Sequence, residues 1–193
     1  MAAGGGDERQ RLFVAVPLPD ELVDLVRHAQ EALPQGPGLR LTGPEQWHVT
    51  LAFIGEVGAG QAETARRVVD GLSADLGGEA TVERFLMLPS ASRARVVTLE
   101  LADEQGVFRR LFEAVMGGLE AEGVMQREKR LFRPHLTIAR LRVPATVRPR
   151  YESERARFAI QSVCLYRSEL RREGAVYTVV CRKQFRSGGV HIV

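Results

Sequence analysis

The chain has 193 residues, 45% of them hydrophobic, with two cysteines and a net charge of +3. That is enough for one large domain or two small lobes packed together around an ordinary core, and it excludes a largely disordered chain. No apolar run approaches a membrane span, the Gly-rich, charged stretch Met1 to Gln10 lacks the apolar run of a signal peptide, and Cys164 and Cys181 have neither zinc-site nor disulfide-scaffold spacing. A cytoplasmic protein with reduced core thiols is expected.

Arg11 to Leu18 (RLFVAVPL) is rich in β-formers and predicts a strand, closed by Pro17 and Pro19 before the acidic pair Asp20 and Glu21 that suits a helix first turn. Leu22, Leu25, Val26, Ala29 and Leu33 recur at helical spacing until Pro34 to Gly38 ends the pattern, with His28 beside the stripe as an ordinary, partly buried histidine. Trp47 to Ile54 (WHVTLAFI) predicts a second strand ending at Gly55. A second helix carries Ala65, Val68, Val69, Leu72 and Leu76 and stops at Gly77 and Gly78. Strands follow over Thr81 to Leu88 and Ala94 to Leu101, joined by a turn at Pro89 and Ser90. Phe108, Leu111, Phe112, Val115 and Leu119 form the most regular helical stripe, ending near Gly123.

Leu131 to Leu141 predicts another strand, Pro144 to Pro149 a loop, and Phe158 to Tyr166 and Ala175 to Phe185 two last strands flanking a charged turn. The remainder divides into an N-terminal end over 1–10, a single two-lobed domain over 11–185 and a tail over 186–193 in which His191 is inert. Several strands follow one another directly, so antiparallel pairing with helices outside fits better than a parallel doubly wound sheet. The fold class is α+β.

The feature that carries chemistry is an internal echo: Trp47-His48-Val49-Thr50-Leu51-Ala52 and Pro134-His135-Leu136-Thr137-Ile138-Ala139 share one His-apolar-Thr-apolar arrangement. Strand alternation puts His and Thr on one face and the apolar pair on the other. One such triplet arises easily by chance; two copies use half of the four histidines and divide the chain into lobes that can face each other across a groove. Histidine titrates near pH 6.5, so of two imidazoles one can take a proton from an attacking water while the other gives one to a leaving ribose oxygen. The threonine hydroxyls can donate to the phosphate oxygens as charge builds there. Neither histidine has the HExxH or clustered aspartates of a metal site nearby, so no metal and no cofactor is expected.

Charge points the same way. Between Arg127 and Arg157 there are ten Arg or Lys against three Glu, a net +7 in a chain of net +3, and His135 lies inside this segment. Arg133, two residues before His135, is the expected phosphate clamp, and Arg130 and Lys129 extend its positive surface. Trp47 and Phe53 have the opposite strand parity from His48 and are expected in the core. A monomer is expected.

With both HxT copies in view, the sequence resembles the 2H phosphoesterase superfamily, and within it the RNA 2′,3′-cyclic phosphodiesterases, also known as the 2′-5′ RNA ligase family. The resemblance rests on WHVTLAFIGEV from Trp47, FRPHLTIAR from Phe132, RLFVAVPLP from Arg11 and LYRSEL from Leu165 with Gly174 and Tyr177, and so spans nearly the whole chain. It implies a two-lobed fold of pseudo-two-fold symmetry, an antiparallel sheet in each lobe, helices outside and a central cleft. It also implies hydrolysis of an RNA terminal 2′,3′-cyclic phosphate to a 2′-phosphate, His48 donating the proton and His135 acting as base, and in some relatives 2′-5′ ligation. The residues themselves leave that role split open. A basic residue often found at the Ala52 position, two beyond the threonine and expected on the same strand face, is missing here. Other readings are a 2′-5′ oligonucleotide or small cyclic-phosphate phosphodiesterase, and an RNA-binding module without turnover.

Overall fold

The computed structural model describes residues 9–36, 38–127, 131–171 and 174–186. Its elements, in chain order, are β1 (Gln10–Pro17), α1 (Val23–Glu31), β2 (Leu39–Leu41), β3 (His48–Val57), α2 (Ala59–Asp70), β4 (Gly78–Leu88), β5 (Ala94–Ala102), α3 (Val107–Ala121), β6 (His135–Ala145), β7 (Ala156–Ile160), β8 (Ser162–Arg171) and β9 (Gly174–Gln184). The strands form two antiparallel sheets, ordered β3-β1-β8-β9 and β2-β6-β5-β4-β7. Among the described residues no helix is long and apolar enough to cross a membrane.

The first sheet is built around β1, whose Leu12 to Val16 are all buried, which is why it reads as a continuous hydrophobic run. In β5 of the second sheet the buried apolar residues Val97, Leu99 and Leu101 alternate on one face, opposite Thr98 and Glu100. Helix α2 lies against β8 and β9, while α3 packs on α2, β3 and β4. The α3 stripe of Phe108, Leu111, Val115 and Leu119 is fully buried, each side chain contributing about 1.5–3 kcal/mol. Asp103 starts this helix by accepting from the N–H groups of Phe108 and Arg109, two donors that the first turn leaves without helical partners.

Several boundaries differ from the sequence expectation. Helix α2 begins at Ala59 and stops at Gly71, so Leu72 and Leu76 pack beyond it rather than on its stripe. Strand β3 does not end at Gly55; that glycine takes φ +83 and the strand continues to Val57. Strand β6 starts only at His135 and runs through Pro144. The single strand expected over Phe158 to Tyr166 is two: β7 pairs with β4 in one sheet, β8 pairs with β1 in the other, and Gln161 alone separates them. Apolar runs on either side of one polar residue look continuous to a periodicity argument, which cannot see a change of sheet. The three-residue strand β2 gives no periodic signal at all.

Candidate active site

The motif strands β3 and β6 come together where the two sheets meet. His48, Thr50, His135 and Thr137 all line one cleft of about 510 Å³. All four are partly exposed, while Val49, Leu51, Leu136 and Ile138 between and beside them are buried. The alternation expected from the sequence therefore holds within each triplet.

Beyond the triplet it breaks, in the same way in both copies. On β3, Ala15 pairs with Thr50 and Val14 with Ala52, leaving Leu51 as an extra residue; on β6, Thr98 pairs with Thr137 and Val97 with Ala139, leaving Ile138 extra. A one-residue bulge reverses the parity of everything after it. Ala52 is thus buried, whereas Phe53 is 45% exposed and lines the cleft, as does Arg140, its counterpart five residues after His135. The expectation that Phe53 belongs to the core, and that Ala52 shares the face of Thr50, is corrected by these paired bulges. Trp47 is buried as expected.

Each motif histidine is held by the carbonyl two residues before it. His135 Nδ1 lies 2.7 Å from the Arg133 oxygen, so the N–H there fixes the ring and leaves Nε2 for proton transfer. The His48 ring donates likewise to the Gln46 carbonyl. Their surroundings differ. His48 sits among Phe13, Tyr177 and Tyr166, with ring centroids at 4.9, 5.2 and 6.1 Å. Burial there pushes its pKa down to about 4, against the hydrogen bond to Gln46, with smaller contributions from the positive charges of Arg140 and His135.

The structure places Arg133 away from the cleft lining. Residues 131–134 precede the strand, so alternation does not reach Arg133, and its Nε donates to Glu100 Oε1 at 2.6 Å. Glu100 pairs across the sheet with His135 and also accepts from Arg84. Burial opposes ionisation of its carboxyl, but the hydrogen bonds and charges of Arg133 and Arg84 outweigh that and hold it below the usual carboxylate range. The basic character at the cleft comes instead from Arg11, Arg40 and Arg140. Arg11 stacks over the Phe53 ring at 4.9 Å, and its Nε is buried without a hydrogen-bond partner. Arg130 and Lys129, like His191, lie outside the described residues.

A polar strut ties the two motifs together. Trp47 Nε1 donates to Thr42 Oγ1, which donates to the Thr137 carbonyl at 3.0 Å, and Gln30 Nε2 bridges the carbonyls of Thr42 and Ile138. Thr42→Val keeps the shape but leaves the buried indole N–H without its acceptor, an expected loss of about 1–3 kcal/mol. It should appear as a lower urea midpoint at unchanged slope, with Thr42→Ser close to the wild type.

Residues 16–98 match the family model described as LigT like Phosphoesterase. The chain is 32% identical over 139 residues to the RNA 2′,3′-cyclic phosphodiesterase of Archaeoglobus fulgidus, covering 68% of this chain and 73% of that one. It is 30% identical to the protein of the same name from Thermus thermophilus, over 94% of this chain and 92% of the relative. The chain belongs to the LigT-like phosphoesterase family. Its fold matches that of Escherichia coli LigT in complex with 3′-AMP at a TM-score of 0.78 and 26% identity, over 93% of this chain and 100% of LigT. A crystal structure of a Thermus thermophilus protein, TT0787, matches at a TM-score of 0.78 and 27% identity, over 92% of this chain and 99% of that one. The two-lobed α+β architecture expected from the resemblance is that of this family.

Arg11, Arg40, Gln46 and Arg140 are the basic and amide side chains of the cleft that sequence reasoning did not single out as site residues. Arg140 carried a usable signal, its position five after His135 mirroring Phe53 after His48, which strict alternation hid. Arg40 comes from the three-residue strand β2 and Gln46 from the single turn before β3, where no motif marks them.

Proposed function

We propose that this LigT-like phosphoesterase hydrolyses the terminal 2′,3′-cyclic phosphate of RNA to a 2′-phosphate by proton transfer between its two motif histidines. The observation that carries this reading is the convergence of His48, Thr50, His135 and Thr137 on one cleft, each ring held by the carbonyl two residues before it. The names of the relatives supply the substrate class. His135 Nε2 takes a proton from water as its oxygen attacks phosphorus. The P–O3′ bond breaks, and His48 returns a proton to the departing O3′. Thr50 and Thr137 hold the non-bridging oxygens, and Arg140 offsets their charge. A 5′-hydroxyl attacking in place of water gives the 2′-5′ joining reaction by the same route. Among the described residues no three or more His, Cys, Asp or Glu gather as metal ligands.

The test is incubation of the purified protein, in excess EDTA, with an RNA oligonucleotide ending in a 2′,3′-cyclic phosphate. The expected product carries a 2′-phosphate, at a rate that added Mg²⁺, Mn²⁺ or Zn²⁺ does not raise. A 3′-phosphate product, or turnover restored only by metal, overturns the scheme.

A further inference from the structure

A second hollow, of about 920 Å³, adjoins the cleft, and the two share Arg40 and Arg140 as a common wall. We propose that this groove is the track for the RNA strand leading up to the reacting end, with Arg142 as a backbone-phosphate contact outside the catalytic cleft. The inference rests on the cyclic-phosphate reading and extends it from the terminal nucleotide to the chain behind it.

The argument begins with the pairing of β2 and β6. Arg40 stands directly opposite Arg140, and the Arg142 N–H closes the end of the ladder on the Gly38 carbonyl. Past the bulge at Ile138, Arg140 and Arg142 are alternate residues of one strand, on the face that carries His135 and Thr137, about 7 Å apart. The row therefore starts at the catalytic pair and leads away from it into the groove.

Two positive charges directly opposite each other weaken a sheet. Here all three guanidinium groups are on exposed residues, and among the described residues none is paired with a carboxylate. Arginines around Glu100 and on the neighbouring elements are neutralised, Arg84 and Arg133 by Glu100, Arg127 by Glu113, and Arg155 by Glu83. The three unpaired guanidinium groups follow one path from the cleft into the groove. Gly174 leaves the space that the Arg40 guanidinium occupies at the head of that path, a Cβ on this glycine lying 2.5 Å from Arg40 Nη2, and its φ of +135 suits glycine. Beside the arginines the groove is largely apolar, with Val143 68% exposed, so it offers a surface for sugars and bases beside a line of phosphate partners. A chain with charges at regular intervals fits this better than a compact anion, and continuity with the cleft selects the strand whose end reacts there.

The experiment compares wild type with Arg142→Gln and Arg142→Glu. Binding of a fluorescent single-stranded oligoribonucleotide with a 3′-phosphate is measured by anisotropy over a range of salt, beside competition by 3′-AMP. Turnover is measured on a cyclic-phosphate oligonucleotide and on a mononucleoside 2′,3′-cyclic phosphate. The expected result is oligonucleotide binding about 3- to 10-fold weaker in Arg142→Gln and weaker again in Arg142→Glu, with the salt slope reduced by about one. 3′-AMP affinity and mononucleotide turnover stay at the wild-type level, which also shows the variants folded. Unchanged oligonucleotide binding, or an equal loss for 3′-AMP, overturns the track. If wild type turns over neither cyclic phosphate, the proposed reaction fails, and the binding comparison still decides the groove.

Discussion

Replacing His135 by alanine is expected to slow cyclic-phosphate hydrolysis on the order of 10²- to 10⁴-fold, and replacing His48 to do the same, since a positioned general acid or base contributes about that much. The two losses should not multiply. Both histidines act in a single displacement, so the double variant is expected to fall little below the worse single one. Stability separates the two residues. His135 stands at the edge of the Glu100–Arg133 pair, which persists without the imidazole, and His135→Ala should leave the urea midpoint near the wild-type value. His48 is packed among Phe13, Tyr166 and Tyr177 and held in its neutral form. Unfolding lets it regain a proton below its ordinary pKa of about 6.5, so wild-type stability should decline as pH falls from there towards 4. His48→Ala removes that particular decline while leaving a hole among the aromatic rings. Turnover measured beside denaturant midpoints at pH 7 and pH 5 checks both statements. Wild-type turnover in either single variant would remove that histidine from the chemistry.

How the site was anticipated follows from how each residue is specified. His48, Thr50, His135 and Thr137 were readable because a repeated triplet on a strand needs only alternation to put its polar members on one face, and alternation holds over three residues. It fails one residue later. The bulges at Leu51 and Ile138 are set by pairing with β1 and β5, strands distant in sequence, and nothing local announces them. Phe53 and Ala52 were misplaced for that reason, and Arg140 was passed over. Arg133 was drawn by its nearness to His135, but a guanidinium goes to the strongest acceptor in reach, and Glu100 stands across the sheet. The helices on the outside were read from stripes that packing enforces. The division of β7 from β8 at Gln161 was not, because either sheet accepts the same apolar run.

Binding of a cyclic phosphate should draw a proton into the cleft, and that uptake decides which histidine is the acid. In the empty site His48 is neutral at pH 6, its pKa held at about 4 by burial, with the Arg140 and His135 charges adding to the effect. A neutral imidazole cannot protonate a leaving oxygen, so a donor role requires the substrate to change its state. The bound phosphate supplies the means: its negative charge, placed beside a ring surrounded by Phe13 and Tyr177, acts where solvent screening is weak. It also offsets Arg140, one of the charges that depress His48. The complex then holds more protons than its free parts between pH 4 and the raised pKa, and affinity should strengthen as pH falls through that window. A cyclic phosphodiester does not itself titrate in this range, and His135→Ala both slows turnover and removes the other motif imidazole. Calorimetry of that variant with a mononucleoside 2′,3′-cyclic phosphate, in two buffers of different ionisation enthalpy at pH 6, should therefore show uptake approaching one proton per site, and close to none when His48→Asn is added. Uptake would establish His48 as the proton donor and make the cleft's low polarity a means of coupling its charging to substrate entry. Its absence would leave His48 neutral in the complex, fit only to accept a proton, and the roles of the two motifs would be exchanged.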